Sequence, residues 1–220
     1  MRLPLPWLIV AAAALSWLFW PLLRPRLAPA RGDTLVVVVD GYHRLDAALR
    51  YTGTQPLLLI SCPLTGQPTA AQRRQAAGRL FYTVHEGFDS AEQLTVLARW
   101  LQHPPANLPR LGRVLLVSDS HHLSRLLPAA RLALGGRGLA VSGWIAAADR
   151  PAATRPPLPP AWLISRDWLR LQLWRVSGST GAFLVPATRR RKQAECGVSA
   201  LGRAEVAGLA PAPALTSSLP

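Results

Sequence analysis

The chain is expected to fold as an α/β domain with a Rossmann-like open, mainly parallel sheet and helices on both faces, preceded by an N-terminal transmembrane helix. Three observations predict this. Short apolar, often β-branched runs alternate with helical patterns, Gly and Pro punctuate the connections, and one charge-free apolar stretch stands apart at the N-terminus. Apolar runs without polar alternation mark strands covered on both faces, and strand–helix alternation is the rhythm of parallel βαβ units.

Leu3 to Leu23 carries no charge, clusters Trp7, Trp17, Phe19 and Trp20 toward its ends, and is bracketed by Arg2 and by Arg24, Arg26 and Arg31. About 20 apolar residues cross a bilayer core, and aromatic belts with basic flanks mark its interfaces. Residues 1–23 are therefore read as an anchor, with the lipid bilayer as partner through residues 3–23. An uncleaved anchor is preferred to a cleaved signal, despite the small residues Ala28-Pro29-Ala30. The flanking charges favour a cytoplasmic domain by too narrow a margin to orient it.

Residues 24–33 form a Pro/Arg/Ala linker. Thr34–Val39 is the first buried strand, ending at Asp40-Gly41, and His43–Arg50 a helix stopped near Gly53. Pro56–Ile60 is the second strand, ending at Ser61-Cys62. Pro68–Gly78 suits a short polar helix and Leu80–Val84 a third strand. Asp89 or Ser90 caps an amphipathic helix with Leu94, Leu97, Ala98 and Leu101 on one side. Val114–Val117 is the fourth strand, Leu123–Leu134 its helix, and Leu139–Val141 opens a fifth strand. Residues 150–160, with five prolines, are extended. Ala161–Val176 is a final helix that either packs on the sheet, the plainer expectation, or lies in a membrane interface where Trp and Arg are both at home. The domain is drawn at 34–180. Residues 181–220 are a basic, then Ala/Pro/Ser-rich tail with too few large apolar residues to order itself.

The net charge of +14 comes from 25 basic residues against 11 acidic ones, and Lys192 is the only lysine. An Arg bias spread along the chain is a compositional habit rather than a basic footprint. Only Arg189-Arg190-Arg191-Lys192 forms a run, and no aromatic residues interleave it for stacking, so nucleic acid is not the expected partner. An anionic membrane surface suits those charges better. Cys62 and Cys196 show no CxxC spacing, and two free thiols are the plainer reading, with one bridge allowed for an exported domain.

In a doubly wound sheet the carboxyl ends of the strands face one crevice. Candidate ligand-binding residues are therefore Asp40, Gly41, Arg44, Ser61, Ser90, Ser118, Asp119, Ser120 and Arg125, with His43 nearby. His122, Glu86 and Asp89 are the candidate general acids or bases. Helix N-termini and guanidinium groups attract phosphate or carboxylate, so an anionic small molecule is the expected ligand. No HxxxH-type spacing supports a metal, no GxSxG elbow supports a hydrolase, and neither GxGxxG nor GxxxxGK[ST] supplies a phosphate loop. His121 reads as a surface residue, and His85 and His103 as incidental. No cofactor follows from these residues, and neither does an oligomeric state.

The order of these features resembles the YdcF-like family, the SanA/ElyC-like envelope proteins. Its strand-turn-Arg-helix opening is matched by Val36–Val39, Asp40-Gly41 and Arg44-Leu-Asp-Ala-Ala48, and its second strand by Leu57–Cys62. Its Glu and Asn-Thr-x-Glu-Asn box is echoed by Glu86 and Asp89-Ser90-Ala91-Glu92-Gln93. Its Thr-Ser-x-x-His-Met-x-Arg is matched by Ser118-Asp119-Ser120-His121-His122-Leu123-Ser124-Arg125. The resemblance covers about residues 34–176. It departs where Asp40-Gly41-Tyr42 replaces a glycine-rich turn and Cys62-Pro63 replaces Gly-Gly, leaving a backbone less open to an anion. The resemblance implies a Rossmann-like fold, a frequent N-terminal anchor, nucleotide-type ligands and a role in envelope biogenesis. The expected function is thus binding of a phosphate- or nucleotide-like anion by an anchored domain. A hydrolase or transferase acting on that ligand and a non-catalytic partner of an envelope assembly are the alternatives.

Overall fold

A computed structural model describes residues 4–39, 41–63, 67–146, 161–184 and 186–206. Helix α1 (Leu5–Leu27) leads into β1 (Asp33–Val39), α2 (Tyr42–Tyr51), β2 (Leu57–Ser61), α3 (Ala70–Gln75) and β3 (Phe81–His85). The chain continues through α4 (Ser90–Trp100), β4 (Leu111–Ser118), α5 (Ser120–Gly135), β5 (Ala140–Ile145), α6 (Ala161–Ser177) and α7 (Pro186–Val206).

The sheet has five strands in the order β3-β2-β1-β4-β5, all parallel. The β-branched run of β1 occupies the centre, where both faces are covered. Val37 and Val39 face the layer of α4, α5 and α6 together with Leu94, Leu97, Leu126 and Leu171. Val36 and Val38 face the other layer with Leu45 and Ala48. Every side chain from Leu35 to Val39 is fully buried, which accounts for the missing alternation.

Helix starts follow side-chain chemistry. Thr69 and Gln72 close a capping box on α3, each accepting from the other's backbone N–H. Asp89 Oδ1 accepts from the N–H groups of Ala91 and Glu92 at 3.0 Å and starts α4. Gly41, at φ 93°, precedes α2 in a conformation that favours glycine.

Three findings depart from the expectations. Helix α1 runs through Pro21 and Pro25 to Leu27, so the linker shrinks to the few residues before β1. The segment from Pro186 to Val206 is helical rather than unordered. Cys62 and Cys196 are joined in a disulfide, not free, with their Cα atoms 6.3 Å apart. That bond holds α7 to the end of β2. The Pro-rich segment 150–160 and the chain beyond residue 206 lie outside the described residues.

Helix α1 is long and apolar enough to cross a membrane, and almost none of it is buried in the protein. Its C-terminal end docks on the domain. The Arg24 guanidinium donates to the Gly136 carbonyl, Gly135 lies against the Pro21 backbone, and Arg175 of α6 stacks over Trp17 at 4.1 Å.

Candidate functional site

Strand order reverses between β1 and β4, so the crevice opens where β1 and β4 diverge into α2 and α5. Five of the expected residues meet there or beside it: Arg44, Ser90, Asp119, His122 and Arg125. Arg44, buried on α2, donates to the Val39 carbonyl at 2.6 Å and pairs with Asp119 at 2.5 Å. It therefore ties the end of β1 to the end of β4. Asp119 stands at the N-cap of α5 without capping it through its side chain, so the first-turn N–H groups of α5 have no carboxylate from that residue. Ser118, at the end of β4, is fully buried, and its hydroxyl has no hydrogen-bond partner among the described residues. Ser120 is the half-buried first residue of α5.

One turn further, His122 Nε2 lies 3.3 Å from Ser90 Oγ, and Arg125 donates to the same hydroxyl at 3.0 Å. The imidazole is pushed down to about 4, first by burial and then by the charges of Arg44 and Arg125, with Asp119 acting in the opposite direction. His122 is consequently neutral at physiological pH and able to accept a proton or hydrogen bond. His121, its neighbour, is exposed as expected.

Two residues of the site were visible only as polar positions on α6. Asp167 pairs with Arg125 at 2.9 Å and with Arg166 at 2.8 Å. Arg170 donates to Asp89 Oδ2 at 3.0 Å and to the Thr180 carbonyl at 3.0 Å. Both are nearly fully buried. Their only sequence signal was a charge set among aromatic and aliphatic residues, and burial of that charge cannot be read from spacing. A further contributor is Lys192 of α7, whose charge reaches His122. The basic run thus lies close to the crevice, with Arg189 3.7 Å from Glu92 and over Phe88.

The remaining candidates are placed elsewhere or differently engaged. Both carboxylate oxygens of Asp89 are occupied, one by the α4 backbone and one by Arg170, so this residue positions α4 and α6 rather than offering a free base. Glu86 is half exposed, pairs with Arg99 at 3.1 Å, and lines a separate cavity of about 380 Å³ beside Trp174 and Arg189. None of Arg44, Asp119, His122 or Arg125 lines that cavity. Ser61 is buried on β2 and its hydroxyl lies 2.7 Å from His85 Nδ1, because parallel register sets Ser61 beside His85. His85 is therefore not incidental to the strand ends, and burial lowers its proton affinity. Gly41 adjoins the crevice at the start of α2. Asp40 lies outside the described residues, as does the side chain of His43.

No protein-family model, curated protein or solved structure matches the chain. The fold is Rossmann-like on its own coordinates. Among the described residues no group of three or more His, Cys, Asp and Glu is arranged to hold a metal ion. The chemistry of the site is that of arginines, a neutral histidine, small hydroxyl side chains and a helix N-terminus.

Proposed function

We propose that the protein is a membrane-anchored, YdcF-like domain that binds a phosphate- or nucleotide-like anion in cell-envelope biogenesis. The observation that carries this reading is the start of α5 at the switch point, where Asp119 turns to Arg44 instead of capping the helix. First-turn N–H groups without a side-chain cap and a helix dipole attract an anion, and the buried Ser118 hydroxyl, Arg44 and Arg125 lie at the same end of the sheet. An arriving anion competes with Asp119 for Arg44. The envelope role rests on the sequence resemblance and on a helix suited to a membrane.

The disulfide favours placing the domain on the non-cytoplasmic side, since such bonds persist in oxidising compartments.

Calorimetric titration of pyrophosphate, a sugar nucleotide and S-adenosylmethionine into the full chain in nanodiscs tests the ligand. Saturable binding of one of them, weakened roughly tenfold or more by Arg125→Ala, is expected from the loss of a charge-assisted hydrogen bond. Binding of none, or affinity unchanged in the variant, sinks the reading.

A catalytic reading is favoured by one feature, the neutral His122 beside the Ser90 hydroxyl. A hydrolase or transferase would use His122 as general base toward a water or hydroxyl group. Turnover of a phosphatase or esterase substrate that disappears in His122→Ala separates this reading from binding alone.

A further inference from the structure

Helix α6 carries apolar residues on two sides, with Trp168, Leu171 and Trp174 packed toward the core and a second set turned outward. Asp167, Arg170 and Gln172 are buried with Leu171, whereas Trp162, Leu169, Leu173 and Val176 are exposed. Those four apolar positions are not scattered. At about 100° per residue they fall within roughly 60° of arc, one narrow stripe along the whole helix. Val176 is 73% exposed, Trp162 62% and Leu169 61%, so nothing among the described residues covers them. A water-soluble domain gains by turning such a stripe inward, and here the inward side is already filled by Trp168, Leu171 and Trp174 together with the ion pairs of the site.

The C-terminal part of α6 touches the apolar N-terminal helix. Gln172 donates to the Leu18 carbonyl at 3.5 Å, and Arg175 donates to the Trp17 carbonyl at 3.0 Å while stacking over that indole. Trp17 lies six residues before Leu23, the last residue of the apolar stretch, which is about 9 Å along α1 at ~1.5 Å per residue. It also belongs to the aromatic cluster that precedes Arg24, where an interfacial belt is found. Contact at that level sets α6 within about 9 Å of the end of the span, the depth to which an interfacial helix buries its apolar face. Arg166 over Trp162 at 5.6 Å and Arg175 over Trp17 provide cations on aromatic stems flanking the stripe, the composition that suits anionic headgroups.

We propose that α6 is a second membrane contact, an interfacial helix whose stripe of Trp162, Leu169, Leu173 and Val176 rests in the bilayer beside α1. The inner face of the same helix supplies Asp167 and Arg170 to the crevice. The crevice is thereby held within one to two helical turns of the membrane surface, because Asp167 and the α1-contacting Gln172 are about 8 Å apart along the helix at ~1.5 Å per residue. This placement depends on α1 spanning the bilayer and not on the anion reading.

Site-directed spin labels test it in the full chain, in nanodiscs containing anionic lipid, with the native disulfide closed. Labels at Leu169→Cys and Val176→Cys, and a control at the exposed Arg50→Cys, are read by power saturation with oxygen and with a water-soluble nickel chelate. The proposal expects the two α6 labels to favour oxygen over nickel several-fold more than the control does. Nickel accessibility equal to that at residue 50 would overturn it by placing the stripe in water. Protection from both reagents would also overturn it, by showing a protein partner such as a second copy. Retained disulfide and circular dichroism spectra confirm that each labelled protein is folded.

Discussion

At the scale of the residue, His122 shows how burial decides chemistry. A histidine in water titrates near 6.5, and this one is pushed to about 4 because its charged form is desolvated beside two arginines. Between those values the unfolded chain holds a proton that the folded chain does not, so folding is favoured more strongly as pH rises through that window. Stability contributed by the neutral ring is fully present above the ordinary value and is lost as pH falls toward 4. The shift corresponds to about 3 kcal/mol at most. Denaturant unfolding at several pH values should show a shallower slope between pH 6.5 and pH 4 for His122→Gln than for the parent protein. An NMR titration placing the imidazole near its ordinary value would refute the account. The histidine pair and Arg125 one turn later were legible in the sequence as a strand-end motif. Which histidine turned inward was legible only from helical phase. That its neighbours would be Ser90 and Arg44, each far away in sequence, was not, because those contacts depend on how three strand ends align.

At the scale of the element, α5 and α6 carry the contrast between pattern and packing. The periodic Leu and Ala positions of α5 place it correctly, and Leu126, Ala130 and Leu134 are buried against the sheet as that pattern implies. Gly135 reads in sequence only as part of a stop signal. In the structure it is the site where α1 meets the domain, since a Cβ there would overlap the Pro21 carbonyl. Gly135→Val should therefore undock the end of α1 while leaving the strands intact. Hydrogen exchange provides the check: amides of residues 28–32, including Ala30 that now bonds to the Gly138 carbonyl, should exchange faster in the variant, with β1 and β4 still protected. Unchanged protection at Ala30 would show that the contact does not fix the helix. For α6 the residue types suggested an apolar face inward, and Trp168, Leu171 and Trp174 do pack against the core, but the structure also turns Asp167 and Arg170 inward beside them. The reason is pairwise: each buried charge of α6 finds an opposite charge from α4 or α5, which offsets the desolvation that would otherwise forbid it.

At the scale of the whole molecule, the disulfide connects parts that no local pattern joins. It closes a loop across a sequence separation of 134 residues and fastens α7 to β2, bringing the basic run toward the crevice. Restricting an unfolded chain over that distance is worth on the order of 5 kcal/mol in the loop-entropy account. Cys196→Ser should lower the unfolding free energy by several kcal/mol and make α7 more sensitive to trypsin at Arg189-Arg190-Arg191, which proteolysis with mass spectrometry resolves. Equal stability and equal cleavage in the variant would mean that α7 is held by its side-chain contacts alone.

The sequence by itself determined the strand–helix alternation, the central buried strand, the apolar N-terminal helix and the polar residues at the strand ends. These are matters of local periodicity, punctuation and composition, which the chain carries at short range. Only the tertiary structure decided the sheet order, the Cys62–Cys196 pairing, the two-sided use of Asp89, the separation of Glu86 from His122, and the buried ion pairs of α6. Each of these depends on which distant groups meet. A charge is buried or exposed according to its partner, and the partner is chosen by the fold.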